Sequence, residues 1–264
     1  MQAQARLWHD PYGRLVGFAL VDTFDNLRIE ILPELVSQEA LTSQMIEWGE
    51  ACAQSKATET HQPAVLDASC REEDGWRIDL FTRHGFRRQR TPEGLELRTL
   101  HLSRSLEYAI PDPRLPVGFS LRPLAGAGEV EALTALHRAA FGTQAMTIEA
   151  RLAIMNAPGY EPSLDLVVVT PQGRLAGYCT CQIHAEENAR SGQRQGWADP
   201  IAVHPDFQRR GLGVALLSKG MQLLKQRGMH TAVLGTSSEN QAMLKTAEAA
   251  GFRVVSAKVW LTRW

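Results

Sequence analysis

The loop Gln208-Arg209-Arg210-Gly211-Leu212-Gly213 has the residue types and spacing of a phosphate site. It follows a short apolar run, Ile201–Val203, and a turn opened by Pro205. It precedes apolar residues spaced as on one face of a helix, at Val214, Leu217, Met221 and Leu224. Glycine lets a ligand approach the backbone closely, and a helix N-terminus supplies unpaired N–H groups with roughly half a positive charge. The sequence therefore predicts phosphate binding where this helix begins.

Two other glycine-rich phosphate motifs do not fit this loop. The dinucleotide motif G-x-G-x-x-G needs glycine where Leu216 stands, and the P-loop needs G-K-S/T, which is absent. The remaining pattern, Q/R-x-x-G-x-G/A directly after a V-x-P turn, resembles the GNAT superfamily of N-acetyltransferases. In that family this loop binds the pyrophosphate of acetyl-CoA. The resemblance covers roughly residues 118–264 and is strongest from Asp199 to Phe252.

The resemblance implies how the cofactor is bound. The family separates the Ile201–Val203 strand from its parallel neighbour, here near Thr231–Gly235, and the pantetheine arm pairs with main-chain groups in the gap as an added strand would. The N–H of Val203 then lies near the thioester oxygen, where a donor stabilises the developing oxyanion. The implied cofactor-binding residues are Ile201, Ala202, Val203, Gln208, Arg209, Arg210, Gly211, Leu212, Gly213, Val214 and Asn240.

An alkyl amine with a pKa of about 10.4 is almost wholly protonated at pH 7, so acetyl transfer to it needs a base. Family members use an acidic side chain on the strand before the loop, and Asp199 is the matching catalytic candidate. Because Asp199 precedes Pro200, a turn residue is the alternative reading, and His184 or a chain of waters are the other candidate bases. Many members also carry a tyrosine that protonates the departing thiolate, but here Ala247 stands at that position.

Three short motifs of the first half recur in the same order in the second, which predicts a duplicated unit. The pairs are Gly13–Phe18 with Gly173–Tyr178, Leu32–Glu34 with His204–Asp206, and His84–Phe86 with Ala250–Phe252. In the first half Glu34–Gln38 replaces the glycine loop, so its side chains would block a pyrophosphate. We expect residues 1–107 to be a degenerate, shortened GNAT-like domain that binds no acetyl-CoA and shapes the acceptor side, 108–117 a Pro-rich linker, and 118–264 the acetyltransferase domain.

The fold class expected is α/β (α+β), with two GNAT-like units. Each is a mixed, mostly antiparallel sheet flanked by helices, and the second holds the cofactor at a splayed strand pair. We further expect a helix over 38–53, a helix over Thr147–Asn156 with Ile148, Leu152 and Met155 inward, and a continuous apolar strand at Leu164–Val169. A capping box is expected with Ser238 as N-cap. The segment Ala185–Gly196 is expected to be a loop, either on the substrate side or a hairpin tip without function.

The formal charge of −1, from 28 basic and 29 acidic residues, argues against nucleic acid or an anionic membrane as partner. The four cysteines lack zinc spacing, so we expect buried free thiols and no metal. The first residues lack an apolar signal segment, which favours a cytoplasmic protein. No feature indicates or excludes an oligomer.

The function predicted is acetyl-CoA-dependent N-acetyl transfer to a primary amine by direct attack in a ternary complex. The acceptor is expected to be a small molecule, although amino-acid and protein amines also fit. The alternative is a non-catalytic acyl-CoA-binding or regulatory protein. Release of free thiol that depends on the amine separates the two.

Overall fold

A computed structural model describes residues 3–264 and divides them into two compact units. The first unit contains 3–100, 237–239 and 256–264, and the second contains 101–236 and 240–255. The C-terminal residues thus complete the first unit. The functional division at 108–117 stays a prediction.

The first unit is an antiparallel meander extended by one parallel strand. Its sheet order is β1-β2-β3-β4-β12, with β3 and β4 parallel, the other neighbours antiparallel, and β5 beside β12. Its elements are β1 (Gln4–His9), β2 (Leu15–Val21), β3 (Asn26–Ile31), α1 (Glu39–Thr60), β4 (Leu66–Arg71), α2 (Gly75–Arg83), β5 (Arg87–Arg88) and the Lys258–Arg263 part of β12 (Arg253–Arg263).

The second unit has the same plan with additions at its start. The sheet order is β11-β10-β9-β8-β7, in which only β10 and β11 are parallel. Its elements are the 101–105 part of β6 (Arg98–Ser105), β7 (Ser120–Pro123), α3 (Val130–Phe141), α4 (Ile148–Met155), β8 (Asp165–Val169), β9 (Leu175–Gln182), α5 (Ala185–Ser191), β10 (Gln195–Val203), α6 (Leu212–Gln226), β11 (Thr231–Ser237) and α7 (Gln241–Ala249).

The predicted repeat is confirmed by matching backbone hydrogen bonds. The turn between β1 and β2 has Asp10 N bonded to Arg14 O, and the turn between β8 and β9 has Thr170 N bonded to Arg174 O. Helices α2 and α7 also end alike, because Phe86 N bonds to Phe81 O and Phe252 N bonds to Ala247 O. Both units share the order of three antiparallel strands, helix, parallel strand and helix, into which the second unit inserts α5 between β9 and β10.

Helix α1 runs to Thr60, beyond the predicted end at Ala53. The hydroxyls of Thr58 and Thr60 bond to the carbonyls four residues earlier, and the helix ends only where His61 takes φ 55°. Within residues 3–264, no helix has both the length and the apolar composition needed to cross a membrane.

Two predictions about the second unit were wrong in detail. Of the three α4 residues predicted to face inward, Met155 packs against the apolar core and Leu152 is half-buried, but Ile148 is exposed, and the buried residue of the helix is Arg151. Strand β8 is buried throughout, as predicted, but it is not wholly apolar, since it begins with the fully buried Asp165. The polar residues Arg151 and Asp165 pair with each other, which is why both can be inside.

Gly213 allows α6 and α7 to pack closely. A Cβ at position 213 would lie 2.8 Å from Cγ2 of Thr246, closer than real Cβ contacts. The Thr246 hydroxyl is occupied by a hydrogen bond of 2.8 Å to Ala242 O, so the side chain is held in place. This glycine is therefore required by packing, whereas Gly211 is required by its φ of 79°.

We expect Gly213→Ala to lower the free energy of unfolding by about 1–3 kcal/mol, because the new methyl group overpacks the contact with Thr246. In a Thr246→Ser background, which keeps the hydroxyl and removes Cγ2, the same change should cost little. Urea unfolding of the four proteins measures the coupling. An equal loss in both backgrounds would contradict the packing explanation.

Candidate functional site

Backbone N–H groups converge at the start of α6. Arg209 and Gly211 both have positive φ, 61° and 79°, and Gly211 is the N-cap of the helix. The first amide with an acceptor at the helix start is Ala215 N, which bonds to Gly211 O. Among the described residues the amides of 209–214 have no acceptor. Such a concave group of donors at a helix N-terminus is an anion site.

A cavity of about 530 Å³ opens in front of these amides. Its wall includes every predicted cofactor-binding residue except Arg210, whose guanidinium lies 5.7 Å from the Phe207 ring centroid. The predicted members brought together are Ile201, Ala202, Val203, Gln208, Arg209, Gly211, Leu212, Gly213, Val214 and Asn240. The first unit has no counterpart loop, because Pro33–Leu35 leads through Val36 toward α1 without a glycine.

Strands β10 and β11 part beside this cavity. They pair only from Gln195 with Thr231 to Trp197 with Val233. On its other edge β10 stays paired with β9 as far as Val203, which lies opposite Gly177. The β11-facing edge of Ile201–Val203 is therefore without a strand partner, as the sequence predicted.

A bulge in β10 lies at the point where the strands part. Ala198 lies opposite Cys181 and Ile201 opposite Cys179, so Asp199 and Pro200 together face one residue of β9. The Asp199 carboxylate accepts a hydrogen bond from the N–H of Gly235 on β11. Burial raises the pKa of Asp199, and the bond from Gly235 offsets part of this rise. Asp199 is not in the wall of either cavity described here.

Asn240 is the N-cap of α7, so the prediction of Ser238 in that role was wrong. Asn240 Oδ1 accepts a 3.0 Å hydrogen bond from Met243 N, and its side-chain amide borders the cavity. Ser238 Oγ instead accepts a hydrogen bond from Arg98 N. The capping pattern was read two residues early, because serine and asparagine are equally good N-caps.

Ala247 offers no acid for a leaving group. It is fully buried, and in the repeat it is the counterpart of Phe81 in the first unit. A general acid, if one acts, has to come from another element.

A second cavity of about 1030 Å³ lies within the same unit. Helices α3, α4 and α5, the 157–161 loop and strand β9 surround it. The prediction of a loop at Ala185–Gly196 was wrong in part, because Ala185–Ser191 forms α5 and Gln195 already begins β10. Asn188 fixes this helix, since its side chain donates to Gln195 O at 2.8 Å and accepts from Gln195 N at 3.0 Å. His184, a predicted alternative base, lies in the wall next to Trp197.

A buried polar network forms one side of the second cavity. Asp165 accepts hydrogen bonds from Arg151, from Tyr160 at 2.7 Å and from Thr180 at 3.0 Å. Burial raises the pKa of Tyr160, so it stays protonated and donates to the carboxylate. Sequence reasoning missed this network, although an acidic residue heading an apolar strand signals that a buried partner must exist.

His137 and Tyr178 form a further pair that the sequence did not reveal. The distance from His137 Nδ1 to Tyr178 Oη is 2.7 Å, and both residues lie in the wall of the second cavity. Burial, followed by the nearby charge of Arg151, lowers the pKa of His137. No local sequence pattern links residues 41 positions apart on α3 and β9.

The cysteines of the chain are free and buried, as predicted. Cys179 and Cys181 point to the same side of β9 with their sulfurs 3.9 Å apart. The hydrogen bond with Cys181, followed by burial, raises the pKa of Cys179 well above its ordinary value. Among residues 3–264 no group of histidine, cysteine and acidic side chains is arranged to hold a metal.

We expect Asp165→Asn to lower the free energy of unfolding by about 3–5 kcal/mol, because it leaves the buried Arg151 charge unpaired. Glu186→Gln is the matched control, since it breaks the exposed pair with Arg190 and should change nothing measurable. Chemical denaturation at pH 7 measures both. Equal effects of the two variants would contradict a structural role for the buried network.

Asp199→Asn tests the cost of the buried carboxylate. Because the pKa of Asp199 is raised in the folded state, its contribution to the free energy of unfolding is fully present below the unfolded-state pKa of about 3.9. This contribution is lost as the pH rises through the folded-state pKa. We therefore expect the variant to be more stable than the parent at pH 7, with the difference vanishing near pH 4. Thermal unfolding at the two pH values measures this, with the exposed Asp79→Asn as control. A destabilised variant at pH 7 would contradict it.

Comparison with known proteins places these features in a family. Residues 131–252 match the model of the acetyltransferase (GNAT) family. A mycothiol acetyltransferase of Arthrobacter sp. (strain FB24) is 28% identical over 190 residues, which cover 70% of this chain and 54% of the relative. The chain thus spans about half the length of this curated relative.

Two solved structures share the fold. A GCN5-related N-acetyltransferase from Sphaerobacter thermophilus aligns with a TM-score of 0.79 at 21% identity, over 98% of this chain and 80% of that chain. A tandem GNAT protein from the clavulanic acid biosynthesis pathway aligns with a TM-score of 0.73 at 16% identity, over 99% and 83%. The two alignments show that the fold is shared over nearly the whole chain, and the family match shows that residues 131–252 form a domain of the GNAT acetyltransferase family.

Proposed function

We propose that the protein is an acetyl-CoA-dependent N-acetyltransferase that acetylates the primary amine of a small molecule. The observation that carries the proposal is the smaller cavity, which joins the free amides at the start of α6 to the unpaired edge of β10. A pyrophosphate and a chain of amides are the two parts of coenzyme A that such surfaces bind.

In the proposed complex the pyrophosphate accepts hydrogen bonds from the amides of 209–214. Arg209 belongs to the cavity wall, so its guanidinium supplies positive charge for the pyrophosphate in the proposed complex. The pantetheine arm pairs with the free edge of Ile201–Val203, and the side-chain amide of Asn240 donates to it, because its Oδ1 is already used by Met243 N. The acetyl group then reaches Val203, whose N–H is the proposed oxyanion donor.

The larger cavity is the proposed site of the acceptor. Pro200 lies in its wall and the next residue, Ile201, lies in the wall of the smaller cavity, so the two spaces approach each other at the bulge of β10. A volume of about 1030 Å³ suits a small molecule. The name of the curated relative, mycothiol acetyltransferase, supports the same class of acceptor.

Direct attack in a ternary complex fits this arrangement better than an acyl-enzyme. A nucleophilic cysteine needs a low pKa, and that of Cys179 is raised. Coenzyme A leaves as a thiolate of pKa about 8.5, so transfer tolerates the absence of an acid at Ala247. The candidates that the sequence offers for the base that frees the amine are Asp199, His184 and water.

A non-catalytic acyl-CoA-binding protein is the second candidate, favoured by the buried Ala247. Both candidates bind acetyl-CoA, but only the enzyme releases free thiol when an amine is added. A thiol-trapping assay over a panel of small amines decides between them. Silence of the parent protein across the panel, with acetyl-CoA bound, would favour the second candidate.

We expect Arg209→Glu to weaken coenzyme A binding at least tenfold, because it places a negative charge in the wall facing the pyrophosphate. Arg210→Glu carries the same charge change on a side chain that lies over Phe207, and it should have a much smaller effect. Titration calorimetry measures both affinities.

The same titrations give the stoichiometry, for which we expect one coenzyme A per chain. Equal weakening by the two variants would contradict the proposed phosphate position. Two bound molecules per chain would contradict the inactive role proposed for the first unit.

A further inference from the structure

His137 lies where the two cavities of the second unit come together. It is on α3, one helical turn before Phe141, and the two ring centroids are 4.6 Å apart. His137 lines the larger cavity, whereas Phe141 lines the smaller one. The His137 imidazole therefore borders the proposed acceptor cavity, and only the Phe141 side chain lies between it and the proposed cofactor cavity.

Tyr178 approaches the same junction from β9. It lies opposite Ala202 in the strand register, and Ala202 belongs to the wall of the smaller cavity. Its hydroxyl meets His137 Nδ1 at 2.7 Å, and burial raises the pKa of Tyr178, so the group stays a neutral phenol. A neutral phenol oxygen can accept the hydrogen of Nδ1 and so fix the tautomer of the histidine.

The second ring nitrogen of His137 is free. Nε2 has no hydrogen-bond partner among the described residues, and the side chain is only half-buried beside the cavity. With the hydrogen on Nδ1, the lone pair of Nε2 is available to a molecule in the larger cavity. This is the arrangement of a base oriented by a third group.

We propose that His137 is the catalytic base, which takes a proton from the acceptor ammonium at Nε2, with Tyr178 as its positioning residue. This proposal rests on the proposed function and deepens it, because it assigns the role of base to His137. The sequence offered only Asp199, His184 or water for that role. His137 differs from Asp199 in bordering the acceptor cavity. It differs from His184 in having its other nitrogen held by a buried phenol.

An N–H bond of the ammonium breaks and its proton passes to Nε2, giving an imidazolium and a free amine. The amine lone pair forms a C–N bond to the thioester carbonyl, the C–S bond breaks, and coenzyme A departs as a thiolate. The former amine nitrogen, now bonded to the acetyl carbon, loses a second proton to solvent. The imidazolium proton passes to the thiolate, so the products are an amide and a thiol.

The surrounding charges keep His137 in its basic form. The groups facing it are Tyr178 on β9 and Arg151 on α4, the latter paired with Asp165. Burial and the Arg151 charge lower the pKa of His137, so it is neutral at pH 7. Activity should fall as the pH drops through this pKa, which lies below the ordinary value of about 6.5.

The test is the pH profile of kcat in His137→Gln, with His230→Gln as a matched control, since His230 is exposed and lies in the wall of neither cavity. We expect His137→Gln to lose kcat by about 10²–10⁴-fold and to lose the acid limb of the profile, while coenzyme A affinity by calorimetry is unchanged. His230→Gln should keep both kcat and the acid limb. Tyr178→Phe should lower kcat by less and move the acid limb, and it should shift the His137 imidazole titration followed by NMR in the free protein.

The outcomes separate the base from the function. An active parent whose His137→Gln variant keeps its acid limb and its kcat within threefold overturns the assignment and leaves the proposed function standing. If the acid limb of the pH profile is lost in His184→Gln or in Asp199→Asn but not in His137→Gln, the assignment of His137 is also overturned, and the residue whose variant lost the limb is the base. Silence of the parent with every amine overturns both, because a base without a reaction has no role.

Discussion

The separation of β10 from β11 after Trp197 is the constraint on which the site depends. Two parallel strands that remained paired would use up the main-chain groups of Ile201–Val203, and no cofactor could pair with them. The bulge at Asp199 and Pro200 lies just beyond the last residue pair of β10 and β11, and the hydrogen bond from Gly235 to Asp199 spans the strands at that point. Bulges of this kind redirect a strand next to a binding site.

The two units show that this backbone plan alone does not make a site. Strands β3 and β10 each lead into a short turn opened by proline, and the two turns are closed by equivalent bonds, from Leu35 N to Leu32 O and from Phe207 N to His204 O. After the turn, the second unit takes positive φ at Arg209 and Gly211, and the first has no glycine between Pro33 and α1. A difference of a few residues thus separates a helix start that exposes its amides from one that does not.

How much the sequence revealed follows from how local each feature is. The glycine loop and the repeated motifs were predictable because glycine, proline and apolar periodicity act within a few residues. The N-cap of α7 was misplaced by two residues, because Ser238 and Asn240 satisfy the same local rule. The Arg151–Asp165 and His137–Tyr178 pairs were not predicted, because each joins residues of different elements whose meeting only the packed fold decides.

Burial acts on the titratable groups near the junction of the cavities in one consistent way. It raises the pKa of Asp199 and of Tyr178, and it lowers that of His137, so each group is shifted toward its uncharged form. The buried charge of Arg151 is balanced by Asp165. The same desolvation disfavours an ammonium ion more than a free amine. The ammonium group of an acceptor that enters this space therefore gives up its proton more readily than in water. A neutral histidine facing it then accepts that proton at a smaller cost in free energy than the two pKa values in water would imply.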